Sequence, residues 1–234
     1  HLVTSAKEIF NSINEKDQVD MYVIREVCLH ILDFNHDQGI LIKNMLEMRE
    51  VDEYTYRHSV NTALLSVMLG RWLGYSEREL KLLCYSGILH DIGKAKIPKE
   101  ILNQKNSLTP KEYKVMKRHP VIGYEIVKKI PFMDTRVALA VLMHHERIDG
   151  SGYPLKLKGD NITPFSKVIA IADTFDAMTS NRVYRGKLCP LDVLATLKEE
   201  SFSTLDINFC NVFIENMLNY YIGDHVILSD GQLA

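Results

Sequence analysis

Signals for the start of a helix recur through the middle of this chain. Ser76 with Glu79, and Thr109 with Glu112, each form a capping box, in which two side chains satisfy the free backbone N–H groups of a first helical turn. Further helix starts are expected at Asp134, Thr163-Pro164, Pro190 and Asp206. The sequence shows no strong alternating strand series and no internal repeat, apart from a short apolar segment at 226–228. It therefore predicts an all-α fold, a helical bundle with irregular loops and a short C-terminal β segment.

The N-terminal half carries apolar residues at helical spacing. Residues 2–46 are predicted to be helical, with a turn at 35–39, and one apolar stripe comprises Val23, Val27, Ile31 and Phe34. A second helix is predicted over residues 52–73, ending at Gly74, and its core face comprises Val60, Leu64, Val67 and Met68. His30 and His36 have no acidic or histidine partner at ligand spacing, so we interpret both as structural or solvated.

Length and composition predict one substantial core and exclude several classes of function. The 234 residues are 46% hydrophobic and 25% charged, with a net charge of -2, which gives no reason to expect binding to polymeric nucleic acid or a membrane. No apolar run approaches the ~20 residues that span a bilayer. The four cysteines form no CxxC pair, so reduced thiols in a cytoplasmic protein are expected. Because the chain begins without Met, we expect it to belong to a larger regulatory or membrane-attached protein.

Two regions are expected within the chain. Residues 1–50 should form N-terminal helices that pack on the core or extend it, and residues 51–234 should form the functional domain. Amphipathic helices need a partner surface, so a homodimer through the N-terminal helices and packing onto their own core both remain open.

Two adjacent histidines, His144 and His145, lead into a glycine-rich loop that ends in Tyr153-Pro154. Glycines in such a loop allow the backbone to approach a ligand closely. Taken alone, the stretch fits equally well a polar helix end followed by an ordinary turn. The other histidines and aspartates favour a ligand site.

Five histidines fall at predicted helix ends or breaks on separate elements, and two aspartates accompany them; the full set is His58, His90, Asp91, His119, His144, His145 and Asp173. This set of nitrogen and oxygen ligands without a thiolate suits Fe or Mn better than a structural zinc site. Seven ligands are too many for one tetrahedral ion. Two metals that share a bridging carboxylate would use them all, and Asp91 is the expected bridge.

Four stretches together resemble the HD-GYP family, a subgroup of the HD-domain phosphohydrolases. They are HDIGK at His90, HPVIG at His119, HHERIDGSGYP at His144, and IADTFDAMTSNRVYR from Ile171 to Arg185. The resemblance covers most of the chain. It implies an all-helical HD-domain fold with a bi- or trinuclear metal centre, and phosphodiesterase activity on cyclic di-GMP, giving linear pGpG and often GMP.

The resemblance also implies roles for individual residues. One metal would be held by His58, His90, Asp91 and Asp173, and the other by Asp91, His119, His144 and His145. Family members with three metals add a glutamate one helical turn before the first histidine, and this chain has Tyr54 there. We therefore expect two divalent ions, Fe or Mn, and not three.

The expected reaction uses a metal-bridging hydroxide to attack phosphorus. Asp91 and Lys94 are the candidate catalytic residues, with Lys94 holding a phosphate oxygen. Without the HD motif, a solvated lysine after a helix end would be the preferred interpretation of Lys94. The candidate substrate-binding residues, besides Lys94, are Gly152, Tyr153, Pro154, Arg182 and Arg185. Asp176 is expected to orient a metal ligand or Lys94. Glu146, Arg147 and Asp149 are interpreted either as solvated charges or as part of the loop's site.

Other functions remain open at this stage. A slow cyclic-dinucleotide sensor or protein-docking module would keep the same ligands, and so would a hydrolase of another cyclic dinucleotide. The resemblance further implies contacts between the exposed face of the glycine-rich loop and diguanylate cyclase (GGDEF) domains.

Overall fold

The computed structural model describes residues 19–33, 54–104, 106–180 and 188–221, together with Thr4, Lys7 and Ile9. Ten α-helices have their bounds within the four continuous ranges, and they are labelled here in chain order. They are α1 Met21–Asp33, α2 Tyr54–Trp72, α3 Glu77–Leu89, α4 Lys99–Leu102, α5 Pro110–Met116, α6 His119–Lys128, α7 Thr135–Met143, α8 Pro164–Thr179, α9 Pro190–Glu200 and α10 Ile207–Leu218. Short 3₁₀ turns lie at Ile92–Lys96, Gly159–Asn161 and Asn219–Tyr221.

The all-α prediction is confirmed, since no strand occurs in the ranges given above. No helix among them has the length and the apolar character to cross a bilayer. The expected β segment at 226–228, the turn at 35–39 and His36 lie outside the described residues. His30 is exposed at the end of α1, which fits the interpretation of a solvated side chain.

The predicted helix starts agree with the structure. Ser76 and Thr109 each cap a helix through a complete capping box, with Glu79 and Glu112 as the reciprocal partners. Asp134 caps α7 by accepting the N–H of Arg136. The signals succeed because they act within one turn of a helix and need no distant partner.

The core lies between α2, α3 and α8, with α1 packed on α3 and α10 packed on α2. Fully buried side chains at its centre include Leu65, Leu83, Phe175 and Phe213. The buried face of α1, which includes Val27 and Ile31, joins the same cluster. The expected boundary between the N-terminal helices and the functional domain, near residue 50, lies between described ranges and stays a prediction.

A close backbone contact fixes α6 against the end of α3. A Cβ atom at Gly93, in the 3₁₀ turn after α3, would lie 2.0 Å from the carbonyl oxygen of His119. Any side chain there would push the two segments apart. The same contact brings the first turn of α6, which begins at His119, next to His90 and Asp91.

Candidate metal centre

Five elements bring the seven predicted ligands together. His58 comes from the first turns of α2, His90 and Asp91 follow α3, and His119 begins α6. His144 and His145 follow α7, and Asp173 lies within α8. The structure thus places all seven near one another, although they span more than a hundred positions of the chain.

The ligand atoms form two groups, each with all its atoms within 4.8 Å of one another. One group comprises His58, His90 and Asp173, and the other comprises Asp91, His119, His144 and His145. In the first, His58 Nε2 lies 3.0 Å from Asp173 Oδ1. In the second, His119 Nε2 lies 3.2 Å from Asp91 Oδ1.

Asp91 lies between the groups. Its Oδ1 faces His119, while its Oδ2 lies 3.3 Å from His90 Nε2 and 3.8 Å from His58 Nε2. One carboxylate oxygen is therefore directed to each group, which is the geometry of a bridging ligand. Burial acts to raise the pKa of Asp91, but Lys94 and His90 outweigh it and hold the pKa well below its ordinary value. Asp91 is therefore ionised in spite of its burial.

Three of the imidazoles are oriented by carbonyls at the end of the helix that precedes each ring or contains its partner. The Nδ1 atoms of His90, His119 and His144 donate to the carbonyl oxygens of Gly87, Met116 and Val141, at 2.7, 2.8 and 2.8 Å. A carbonyl only accepts, so Nδ1 carries the proton and Nε2 presents a lone pair to the cluster. Helix ends leave such carbonyls unpaired, which explains the recurrence of the contact.

Several ring nitrogens at the centre carry no proton that they could donate in a hydrogen bond. His119 Nε2 and His144 Nε2 lie 3.3 Å apart, although both rings carry their proton on Nδ1. Burial, followed by the neighbouring histidines, keeps the pKa of His144 well below its usual value, and burial does the same for His145. His144 and His145 are therefore neutral, and a cation between the Nε2 atoms of His119 and His144 would satisfy both lone pairs.

Two of the buried atoms in this cluster, His90 Nε2 and Asp91 Oδ1, also lack a hydrogen-bond partner among the described residues. An unpaired buried polar atom costs about 1–3 kcal/mol, and a bound divalent cation would satisfy both. The donor set, the facing lone pairs and these two atoms all fit a divalent metal site.

Lys94 lies at the partly exposed edge of the cluster, with Nζ 2.5 Å from Asp91 Oδ2. The cation therefore neutralises the central carboxylate in this structure. Its expected contact with a phosphate oxygen stays a prediction.

Asp176, one turn beyond Asp173, contacts a metal-ligand candidate as expected. Its Oδ2 accepts from His58 Nδ1 at 2.6 Å, so it orients this imidazole and not Lys94. Its Oδ1 accepts from the side-chain amide of Asn61 at 2.7 Å. The sequence analysis missed Asn61, although its position one turn after His58 on the same helix is a signal that could have indicated it.

Glu146 corrects one of the interpretations. It is buried and not a solvated charge, because its carboxylate accepts the backbone N–H groups of Leu155 at 2.6 Å and Leu157 at 3.0 Å. These two residues follow Tyr153-Pro154, so Glu146 ties the far side of the loop to the end of α7. Both partners are backbone N–H groups, so the residue types at 155 and 157 did not indicate the contact in the sequence.

The loop itself packs on His145. The ring of Tyr153 stacks on the imidazole of His145 with centroids 4.6 Å apart, and the Tyr153-Pro154 peptide bond is cis. Gly152 is buried, and a Cβ atom there would lie 2.4 Å from the backbone nitrogen of Arg147. Packing thus already requires a glycine at 152. Substrate binding by Gly152, Tyr153 and Pro154 stays a prediction.

Two of the expected substrate-binding residues, Arg182 and Arg185, lie outside the described residues. The side chain of Tyr54 is also not described, so the structure adds nothing to the expectation of two metals that rests on it.

Comparisons with known proteins agree with this geometry. Residues 41–208 match the family model of the HD domain. A cyclic di-GMP phosphodiesterase of Pseudomonas aeruginosa is 31% identical over 91% of this chain and 50% of its own length. The 3'3'-cGAMP-specific phosphodiesterase 1 of Vibrio cholerae is 35% identical over 78% of this chain and 42% of its own length. A cyclic di-GMP phosphodiesterase of Thermotoga maritima is 41% identical over 62% of this chain and 39% of its own length.

The chain therefore spans half or less of the length of each of these relatives. Among solved structures, an HDG"Y"P protein of Bdellovibrio bacteriovorus matches with a TM-score of 0.72 at 18% identity, covering 93% of this chain and 69% of its own. At that identity the match shows the fold alone. The match to the family model shows that the chain belongs to the HD domain family, and the four sequence motifs resemble its HD-GYP type.

Proposed function

We propose that this chain is a divalent-metal-dependent phosphodiesterase that hydrolyses cyclic di-GMP to linear pGpG, and further to GMP. The observation that carries the proposal is the placement of Asp91, with one carboxylate oxygen toward each of two groups of ligand atoms. Such a pair of sites is suited to phosphodiester hydrolysis, and several relatives are named for this reaction on cyclic di-GMP.

The residues that would hold the metals are those of the two groups, with Asp91 shared between them. Metal ions bound there would supply an activated water and would neutralise charge on the phosphate oxygens. His90, His119 and His144 would keep their Nε2 atoms directed at the metals through the carbonyls of their helix ends. Lys94, already beside Asp91, would hold a non-bridging phosphate oxygen as the charge on it grows.

The substrate would enter from the side of His145 and Lys94, whose side chains are 20% and 23% exposed, whereas those of His90 and His144 are fully buried. Tyr153 would line this opening with Gly152 and Pro154. Arg182 and Arg185 would bind the anionic dinucleotide, as the resemblance implies.

A second candidate is a phosphodiesterase of the same chemistry that acts on cyclic GMP-AMP. The observation that favours it is the similarity to the 3'3'-cGAMP-specific phosphodiesterases of Vibrio cholerae, at 35% identity for the first of them. The two candidates share every metal ligand and differ only in base preference.

The test is a rate comparison on Mn- or Fe-loaded protein with cyclic di-GMP, cyclic GMP-AMP and simple nucleotides. We expect the fastest turnover with cyclic di-GMP and the appearance of pGpG. The matched variants are His90→Ala with Asp91→Ala, which should abolish turnover, and the exposed-site control Asp192→Asn, which should retain it. Activity retained in the well-folded double variant would contradict a metal mechanism, and binding of cyclic di-GMP without turnover would identify a sensor.

The proposal also covers the cellular location, the partner proteins and the assembly of the domain. We place the domain in the cytoplasm, with GGDEF-domain proteins as partners that would contact the exposed face of the loop at Leu155. A homodimer is the proposed assembly, and sedimentation of the purified chain over a range of concentrations tests it.

A further inference from the structure

A second cation lies near the opening of the cluster. Lys117 occupies the break between α5 and α6, two residues before His119. Its Nζ atom lies 4.5 Å from the ring centroid of Tyr113 and 5.0 Å from that of Tyr153. Because Tyr153 stacks on His145, the ammonium group of Lys117 lies one aromatic ring away from the metal-ligand candidates.

The charge of Lys117 is available to a ligand. The side chain is half-buried, and across the described ranges no carboxylate lies within ion-pair distance of its ammonium group. Ring faces attract a cation but do not neutralise it. Lys94, by contrast, is already paired with Asp91. The partly exposed members of the site, His145 and Lys94, also place the opening on the side of Tyr153, beside which Lys117 lies.

We infer that Lys117 binds the second phosphate of the substrate, the one that is not cleaved. This inference rests on the proposed function, because a cyclic dinucleotide carries two phosphodiesters on one ring. When one of them lies at Asp91 and Lys94, the other must lie away from the cluster. An ammonium group donates up to three charge-assisted hydrogen bonds to phosphate oxygens. Lys117 would thus favour substrates with two phosphodiesters over those with one.

The experiment compares Lys117→Met with a matched control, Lys128→Met. Lys128 also lies over a tyrosine, with Nζ 5.5 Å from the Tyr124 centroid, but at the opposite end of α6 from His119. Metal-loaded proteins are assayed with cyclic di-GMP and with bis(p-nitrophenyl) phosphate, which has a single phosphodiester. We expect the ratio of the two KM values, dinucleotide over single diester, to rise roughly tenfold in Lys117→Met. The rise should shrink at high salt, and Lys128→Met should match the wild type.

An unchanged ratio would overturn the inference, and so would an equal rise of both KM values, which indicates a structural role in the loop. Titration of the same three proteins with cyclic di-GMP tests the role of Lys117 separately from the proposed function. If the wild type binds cyclic di-GMP without cleaving it, the proposed function fails, and Lys117 is then judged by whether Lys117→Met weakens binding roughly tenfold. If the wild type does not bind cyclic di-GMP at all, both proposals are wrong.

Discussion

The Nδ1 atom of His58 donates to Oδ2 of Asp176 across 2.6 Å in a buried part of the bundle. This contact joins α2 to α8, and a second hydrogen bond from Asn61 to Oδ1 holds the carboxylate in place. A carboxylate behind an imidazole fixes its tautomer and makes it a more basic ligand. The orientation of His58 therefore depends on a residue that does not belong to the ligand groups.

Asp176→Asn tests this dependence. The amide offers one acceptor instead of two, so either Asn61 or His58 loses its partner. We expect metal affinity to fall roughly 10–100-fold while the helical content stays unchanged. Titration with Mn²⁺, followed by the amount of metal retained, measures the effect. Asp192→Asn, on the exposed face of α9, serves as the control, and equal affinities in both variants would refute the role of Asp176.

Glu146→Gln should loosen the loop that carries Tyr153. A glutamine side chain presents one acceptor and one donor to two N–H groups, so one part-buried N–H loses its partner. We expect faster hydrogen exchange at the amides of Leu155 and Leu157. The exposed Glu125→Gln is the matched control. Unchanged exchange at both amides would show that the carboxylate does not hold the loop.

Gly93→Ala should separate the 3₁₀ turn from α6. The added methyl group would overlap the backbone carbonyl of His119, and overpacking of this kind costs about 1–3 kcal/mol or more. We expect a lower melting temperature and weaker metal binding. Gly70→Ala is the control, because its Cβ atom would meet side-chain atoms and no backbone, namely those of Leu83, Leu80 and Tyr75 at 2.6, 2.9 and 3.6 Å. Equal melting temperatures for the two variants would contradict the close contact.

Asp134 should contribute stability that depends on pH. Hydrogen bonds from Arg136 lower the pKa of Asp134 from 3.8 to about 2, so the folded state favours the ionised form. The contribution is fully present above pH 3.8 and is lost as the pH falls through about 2. Solvent screening limits it to about 1 kcal/mol. Urea unfolding of the wild type and Asp134→Asn should differ at neutral pH and converge in acid, and a constant difference would disprove the linkage.

Metal analysis of anaerobically purified protein should find two ions per chain, Fe or Mn. The expectation rests on the two groups of ligand atoms and on Tyr54 in the place of a further glutamate. Removal of the metals with a chelator should abolish turnover and leave the helical circular dichroism in place, because the core does not depend on the site. Three tightly held ions would contradict the two-metal proposal.

The sequence predicted most of what depends on local contacts. The capping boxes at Ser76 and Thr109 act within one helical turn, and both are confirmed. The convergence of the seven ligand candidates was also predicted, because histidines and aspartates on separate elements together offer the nitrogen and oxygen ligands of a metal site. The resemblance to HD-GYP proteins supplied their division into two sets.

What the sequence did not indicate depends on partners far along the chain. Glu146 is buried because two backbone N–H groups of the loop donate to it, and the side chains of those residues do not indicate such a contact. Gly93 must be a glycine because a carbonyl of α6 lies against it. Lys117 was not predicted as a site residue, because Tyr153, one of its two ring partners, reaches it only through the fold. Each of these features belongs to the tertiary packing and leaves no periodic pattern.

The carbonyls of Gly87, Met116 and Val141 each hold a ring that lies three residues further along the chain. The loss of side-chain rotational entropy for these rings therefore occurs when the helices form, and metal binding does not incur it again. An ion that leaves the centre would find the ligand atoms in the same orientation on its return. Exchange of one metal for another should therefore require no refolding of the domain.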